Sequence, residues 1–123
     1  MPLAVFPEGA TFRGDEVRPF KAGAFAAVRG LEVPVIPVGF AYEPGAEYVD
    51  MPFGQHALNL MSRPRTRVVM VVGGPILATG RADALAETAR SEVQRLVDRA
   101  RSHADCLRMK RFGLDAAGGS PIE

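Results

Sequence analysis

A carboxylate stands between a proline and a glycine near the start of the sequence. Glu8 lies between Pro7 and Gly9, directly after the apolar run 3–6. Pro7 restricts the backbone on one side, whereas Gly9 permits a turn forbidden to other residues or a close approach of a ligand. We therefore expect Glu8 to be held at a defined angle, where its carboxylate accepts hydrogen bonds from substrate hydroxyls or orients a nearby arginine.

Three cations follow this carboxylate at the junction of the loop with a predicted helix: Arg13, Arg18 and Lys21. With the partial positive charge of the helix start, they could supply the field that a phosphate group needs. The alternative is that Glu8 is an exposed loop acid and that the basic side chains are simply solvated. The residues alone leave both interpretations open.

Segments typical of strands alternate with segments typical of helices, which predicts an α/β fold with a partial, mostly parallel sheet and flanking helices. Strands are predicted at 3–6, 33–42 and 66–72, and helices over 20–31, over 53–61 and from Asp83 onward. In parallel sheets, ligands bind beyond the carboxyl ends of the strands. The loop 7–18 is therefore placed where a functional loop is expected.

The composition of each segment refines this prediction. The apolar run 66–72 predicts a strand buried on both faces, and Pro34 and Pro37 make the strand 33–42 irregular or near an edge. The helix 53–61 is predicted to have an apolar side formed by Ala57, Leu58, Leu60 and Met61. The long helix is predicted to bury Leu85, Ala89, Val93, Leu96, Val97 and Ala100 and to turn Glu87, Arg90, Gln94, Asp98 and Arg101 to water. We expect one domain over 1–112 and a disordered tail over 113–123.

Charge and cysteine content narrow the classes of function. Fifteen Lys and Arg against 14 Asp and Glu give no electrostatic reason to expect nucleic acid or an anionic membrane as the main partner. The single cysteine, Cys106, excludes an internal disulfide framework and, with His103, offers only two metal ligands, so no metal site is expected. No signal-like or membrane-spanning segment is visible, and we expect a cytoplasmic protein that could lie at the inner face of the membrane. The basic and apolar end 107–112 could touch a membrane surface, but a frayed helix end is the favoured interpretation.

The sequence resembles the glycerolipid (lysophospholipid) acyltransferase family over roughly residues 3–77. The family's third block, Phe-Pro-Glu-Gly, matches Phe6–Gly9, and the stretch that usually follows it matches Pro19, Phe20, Lys21 and Gly23. The valine- and proline-rich fourth block matches 33–38, with Pro37 as its key proline. The stretch SRPRTRVVMVVGGPI at 62–76 resembles the family's final strand.

This resemblance implies transfer of a fatty acyl chain from acyl-CoA or an acyl carrier protein to a hydroxyl of glycerol phosphate or a lysophospholipid, without a bound cofactor. Glu8 and Gly9 would bind the acceptor, Arg13 or Lys21 would hold its phosphate, and Pro37 would shape the wall beside the thioester. The substrate-binding residues that the resemblance implies are Phe6, Pro7, Glu8, Gly9, Thr11, Arg13, Lys21 and Pro37.

The sequence also departs from the family pattern. The first block, His-x-x-x-x-Asp, provides the general base, but His56 has no aspartate five residues later and His103 is followed by Asp105 at the wrong spacing. The second block, with its substrate-binding arginine, is missing, and Ala10 and Thr11 stand where Thr-Arg is common. The resemblance therefore implies that no catalytic residue lies in this chain, that most of the site precedes Met1 and that the chain alone is inactive.

Three hypotheses of function follow. In the first, the chain is the C-terminal half of an acyltransferase, through truncation, a gene start placed too late, or a split or decayed gene. In the second, it is a non-catalytic remnant or binding module that binds a phosphate-bearing ligand weakly or pairs with a separate chain that supplies the histidine. In the third, it is an unrelated small α/β binding domain. Half a sheet would leave a strand edge and an apolar face uncovered. We therefore expect the isolated chain to be marginally stable and to self-associate through the exposed sheet edge.

Overall fold

The computed structural model describes residues 1–9, 16–42, 53–62, 64–111 and 113, without the side chains of residues 53, 56, 59 and 60. Helices and short strands alternate in this part of the chain, and the mixed content confirms the α/β class. In chain order the elements are α1 (Gly23–Val28), β1 (Pro34–Val35), β2 (Val38–Tyr42), α2 (Phe53–Met61), β3 (Val68–Val72), β4 (Ile76–Leu77) and α3 (Ala82–Arg111).

The strand pairing is antiparallel, so the prediction of a mostly parallel sheet is wrong. β1 pairs with β4, and β2 pairs with β3. Tyr42, the last residue of β2, lies opposite Val68, the first of β3, because the chain between them returns to the same end of the strand. Between the two pairs the Gly73 N–H donates to the Pro37 carbonyl at 2.9 Å. Pro37 has no N–H to donate, and the predicted irregular strand 33–42 is indeed broken there.

Two further predictions about strands are wrong. Residues 3–6 form no strand, and Leu3 and Phe6 are 85% and 80% exposed, because no described strand pairs with this segment. The run 66–72 is not buried on both faces. Within it, Val68, Met70 and Val72 are 46% to 59% exposed, since α3 covers only the opposite face of β3.

The core lies where α3 crosses the β2–β3 pair. An ideal Cβ on Gly39 would lie 2.5 Å from the carbonyl carbon of Leu96 and 2.6 Å from the Val97 nitrogen, so only a glycine allows the helix to lie this close. Leu96 and Ala41 are each 1% exposed. The predicted buried stripe of α3 is confirmed at Leu85, Ala89, Leu96 and Ala100, whereas Val93 and Val97 are half-buried.

A second buried cluster joins α1 to the start of α3. Phe25 packs with Ala78, Leu85, Ala86 and Ala89. The first helix is shorter than the predicted 20–31, and Gly30, just beyond its end, has φ +78. This cluster fixes the position of α1, which directly follows the candidate site in the chain.

The face of the β2–β3 pair turned away from α3 is apolar. Because Gly39 and Ala41 face the helix, alternation puts the other side chains of both strands on the opposite side. This outer sheet face consists of Val38, Phe40, Tyr42, Val68, Met70 and Val72. Tyr42 and Met70 are 44% and 59% exposed, so an apolar face is uncovered among the described residues, as expected. Self-association through it stays a prediction.

The predicted helix 53–61 is confirmed and ends before Pro64. Its predicted apolar side is not buried where the side chains are described, because Leu58 and Met61 are 70% and 82% exposed. The predicted turn region 43–52 and, apart from Gly113, the predicted tail lie outside the described residues. In the part of the chain that the structure describes, no helix has both the length and the apolar character needed to cross a bilayer.

Candidate site at the Phe6–Gly9 turn

The chain turns sharply at Phe6–Gly9. The Gly9 N–H donates to the Phe6 carbonyl at 3.2 Å, with Pro7 in the second position of the turn. Gly9 has φ +73, a conformation that side-chain-bearing residues rarely adopt. The expectation that Gly9 permits a special backbone conformation is confirmed, and the turn fixes the direction in which the half-buried Glu8 projects.

Two hydrogen bonds tie this turn to the segment that leads into α1. The Lys21 N–H donates to the Pro7 carbonyl at 2.9 Å, and the Arg18 N–H donates to Glu8 Oε2 at 3.1 Å. The carboxylate thus holds an arginine's backbone. Since a carboxylate can accept about four hydrogen bonds, this bond does not exhaust its capacity to bind hydroxyls.

The side chain of Lys21 lies against Gly9. An ideal Cβ on Gly9 would lie 2.8 Å from both Cε and Nζ of Lys21. A side chain at position 9 would displace the flexible end of Lys21, so the glycine leaves room for the ammonium group beside the turn. The result is a cation and the Glu8 carboxylate on one exposed turn, an arrangement suited to a ligand with both phosphate and hydroxyl groups.

Helix α3 anchors the same loop from the other side. The Val17 N–H donates to Gln94 Oε1 at 2.7 Å, and Arg90 Nη1 donates to the Val17 carbonyl at 3.4 Å. Val17 is 7% exposed. The prediction that Arg90, Gln94 and Arg101 face water is therefore wrong, since all three are half-buried. Nothing in the helical spacing marks Gln94 and Arg90 as positioning residues, because the loop that covers them is distant in sequence.

Electrostatics keep Arg90 in place. A hydrogen bond from Arg90 to the Glu87 carboxylate at 2.7 Å raises the pKa of the guanidinium above its ordinary value, against the opposing effect of burial. The same bond lowers the pKa of Glu87 below its usual 4.5. Glu16, next to Val17, adds a smaller attraction to Arg90. The guanidinium therefore stays charged and remains directed at the base of the loop.

The other predicted site residues fall elsewhere or outside the described part. Thr11 and Arg13 lie outside the described residues, and Phe6 contributes its carbonyl to the turn while its side chain is exposed. Pro37 is buried at the break between β1 and β2, where an ideal Cβ on Gly73 would be 2.9 Å from its ring. Within the described ranges, the structure brings together Pro7, Glu8, Gly9 and Lys21 and adds Arg18.

A groove of about 890 Å³ lies elsewhere, between residues 74–76 and α3. Its charged side chains pair within the helix, Glu87 with Arg90 and Glu92 with Arg95, and Glu8 and Lys21 do not line it. The groove therefore offers no convergent set of groups for chemistry. Among the described residues, no group of three or more His, Cys, Asp or Glu is placed to hold a metal ion.

Comparison with known families bears on the turn directly. Residues 1–41 match the family model described as Acyltransferase, a segment that contains the turn, α1 and β1. This match supports the acyltransferase family. It also supports a general acyltransferase function, and it covers a third of the 123 residues. No match was found among curated proteins or among solved structures.

Proposed function

We propose that the chain supplies the acceptor-binding half of a phospholipid or glycerol-phosphate O-acyltransferase. The observation that carries the proposal is the turn at Glu8 and Gly9, which lies inside the segment matching the acyltransferase model and carries the Lys21 ammonium beside it. The acyl donor is a thioester of coenzyme A or of an acyl carrier protein. The acceptor is a hydroxyl of glycerol phosphate or of a lysophospholipid.

In this proposal Lys21 pairs with the acceptor phosphate, and the Glu8 carboxylate accepts a hydrogen bond from a glycerol hydroxyl. The reacting hydroxyl attacks the thioester carbonyl, so that a C–O bond forms, the C–S bond breaks and the proton passes to a general base. The chain's contribution is positioning, because holding two reactants in the right geometry removes much of the entropic barrier. The predicted role of Pro37 as a wall beside the thioester remains a prediction.

The general base belongs to another polypeptide segment in this proposal, because the sequence contains no His-x-x-x-x-Asp. The same observation favours an alternative, in which the chain is a non-catalytic remnant that binds phosphate-bearing ligands. The acyltransferase proposal and this alternative differ in the role that they give to Glu8. An acyl-acceptor site recognises the glycerol hydroxyls, whereas a phosphate module recognises the phosphate alone.

Calorimetric titration of the purified chain with glycerol 3-phosphate and with inorganic phosphate separates them. We expect glycerol 3-phosphate to bind more tightly, and Glu8→Gln to remove that difference, with Glu32→Gln as the matched control at an exposed site. Lys21→Gln should weaken both ligands about tenfold, as expected for a charged hydrogen bond, whereas Lys110→Gln should not.

Three results would count against the proposal. Equal affinities for the two phosphates in the unchanged chain would favour the phosphate module. Equal effects of Lys21→Gln and Lys110→Gln would remove the turn from the site. Turnover of acyl-CoA onto glycerol 3-phosphate by residues 1–123 alone would show that the base lies within this chain.

A further inference from the structure

The last turns of α3 form a defined helix end. The helix continues to Arg111, and Gly113, with φ +72, donates its N–H to the Lys110 carbonyl at 3.2 Å. A glycine in the left-handed conformation is a common C-terminal cap. The interpretation of this end as frayed stays a prediction.

The packed face of α3 continues beyond the core with a different composition. The buried stripe reaches Ala100, which is 0% exposed. Steps of three and four residues carry the same face onward to 103, 104, 107, 110 and 111. Leu107 on this continuation is 46% exposed, and the exposed Lys110 and Arg111 follow it. The helix thus presents one apolar side chain beside two cations outside the core.

Positive charge is concentrated in this end. Residues 99–111 contain five Lys or Arg and one acid, Asp105, which pairs with Arg108 at 3.5 Å. Taking these from the chain's totals of 15 basic and 14 acidic residues leaves 10 basic and 13 acidic residues elsewhere. The near-neutral chain is therefore a net acidic body with a basic helix end, a charge asymmetry typical of a surface-binding segment.

We propose that the helix end 99–111 docks on an anionic lipid surface. Its charge complements anionic headgroups, and each Lys or Arg near such a surface strengthens binding about fivefold. Leu107, 46% exposed, is an apolar side chain that can enter the headgroup boundary while the neighbouring Lys110 and Arg111 stay with the phosphates. Single-stranded nucleic acid is favoured less, because its binding sites rely on aromatic stacking and the described residues of this segment include no Phe, Tyr or Trp.

The proposal does not depend on acyl transfer and is tested without turnover, by flotation of the full chain with vesicles. Vesicles of phosphatidylcholine alone are compared with vesicles that also contain phosphatidylglycerol, and flotation separates bound chain from any self-associated chain. We expect binding to the anionic vesicles only. Raising the salt concentration from about 0.1 M to about 1 M should abolish it, because the Debye length falls from about 10 Å to about 3 Å.

Matched variants locate the surface. Lys110→Gln with Arg111→Gln should weaken binding about thirtyfold. Arg29→Gln with Arg81→Gln removes the same charge near the other end of the helix, about 45 Å away, and should have a small effect. Leu107→Gln should weaken binding about fivefold, whereas Leu31→Gln, at another exposed leucine, should not.

Several outcomes would overturn the proposal. These are equal binding of the chain to both kinds of vesicle, or no binding to anionic vesicles at low salt. An equal loss of binding in the Lys110/Arg111 and the Arg29/Arg81 double variants would also overturn it. So would release of the chain from the vesicles by a single-stranded oligonucleotide at a lower concentration than that of added phosphatidylglycerol vesicles needed for the same release. All substituted side chains are exposed, and an unchanged far-UV circular dichroism spectrum in each variant excludes unfolding as the cause of a loss.

Discussion

Replacing Gly39 by alanine should loosen α3 from the sheet and, with it, the candidate site. The new Cβ would lie 2.5 Å from the Leu96 carbonyl carbon, 2.6 Å from the Val97 nitrogen and 2.8 Å from the Leu96 Cβ. Carbon atoms in contact are ordinarily about 3.5 Å apart or more. The helix must therefore retreat locally by about 1 Å, and no change of rotamer relieves the clash, because the two nearest atoms belong to the backbone.

The expected cost is large for a chain of this size. Overpacking of a core costs about 1 to 3 kcal/mol, and a clash with backbone atoms belongs at the upper end, about 3 kcal/mol. Proteins of this length are typically stable by about 6 to 18 kcal/mol. With a urea dependence of about 1.5 kcal/mol per molar, the midpoint of unfolding should fall by about 2 M.

Two glycines give graded controls. Gly73→Ala would approach the Leu96 Cδ1 and the Pro37 ring at 2.9 Å, and because the leucine tip can move, the cost should be smaller. Gly54 lies in α2 with nothing within 4 Å of an added Cβ, so Gly54→Ala should be neutral or stabilising by up to about 1 kcal/mol.

Urea unfolding followed by far-UV circular dichroism, at concentrations below self-association, measures the series. The predicted order of midpoints is Gly54→Ala highest, then Gly73→Ala, then Gly39→Ala. Amide exchange at Val17 should also quicken in Gly39→Ala, because the Gln94 acceptor moves with the helix. A Gly39→Ala midpoint at or above that of Gly73→Ala would refute the close-packing argument.

Other predictions concern the hydrogen bond between Val17 and Gln94, the outer sheet face and the stability of the chain at low pH. Gln94→Ala should destabilise the chain by about 1 to 3 kcal/mol, because it leaves the buried Val17 N–H without its acceptor. Hydrogen exchange at the Val17 amide, measured by NMR, should quicken. Gln94→Glu, which keeps an acceptor oxygen, is the control. Met70→Lys should shift sedimentation velocity profiles toward monomer without lowering the unfolding midpoint, because it places a charge on the outer sheet face. Arg90 holds the pKa of Glu87 below its usual 4.5, so the stabilisation from this pair is present above that pH and lost as the pH falls through the lowered pKa. Thermal melts between about pH 5 and about pH 2 should show a smaller loss in Glu87→Gln than in the unchanged chain, and an equal loss would assign acid unfolding to other groups.

Local pattern predicted the helices but not the sheet. The spacing of Leu85, Ala89, Leu96 and Ala100 identified the packed face of α3, because polar residues mark the opposite face. The run VVMVV of β3 contains no polar residue to mark a solvent side. An exposed face and a buried face are then indistinguishable in sequence, which is why a strand half open to water was predicted as buried on both sides.

In the candidate site, too, the local features could be predicted from the sequence, whereas the long-range contacts could not. The turn at Pro7 and Gly9 follows from turn chemistry, which is local. The anchor from Val17 to Gln94 spans 77 residues. Gln94 lies on the polar flank of its helix, and only the folded chain shows that a loop covers it. Sequence could thus predict the turn but not the residues that hold it in place.

The geometry of the turn depends on the docking of α3. The bonds within the loop, from Gly9 to Phe6, Lys21 to Pro7 and Arg18 to Glu8, each contribute about 0.5 to 1.5 kcal/mol at most. The part-buried bonds of Val17 with Gln94 and Arg90 join the loop to the core. Any ligand that binds only the ordered turn must therefore favour the docked helix, and its apparent affinity falls in proportion to the fraction of molecules in which the helix is docked. Glycerol 3-phosphate affinity should accordingly fall in Gly39→Ala, although Gly39 makes none of the turn's hydrogen bonds.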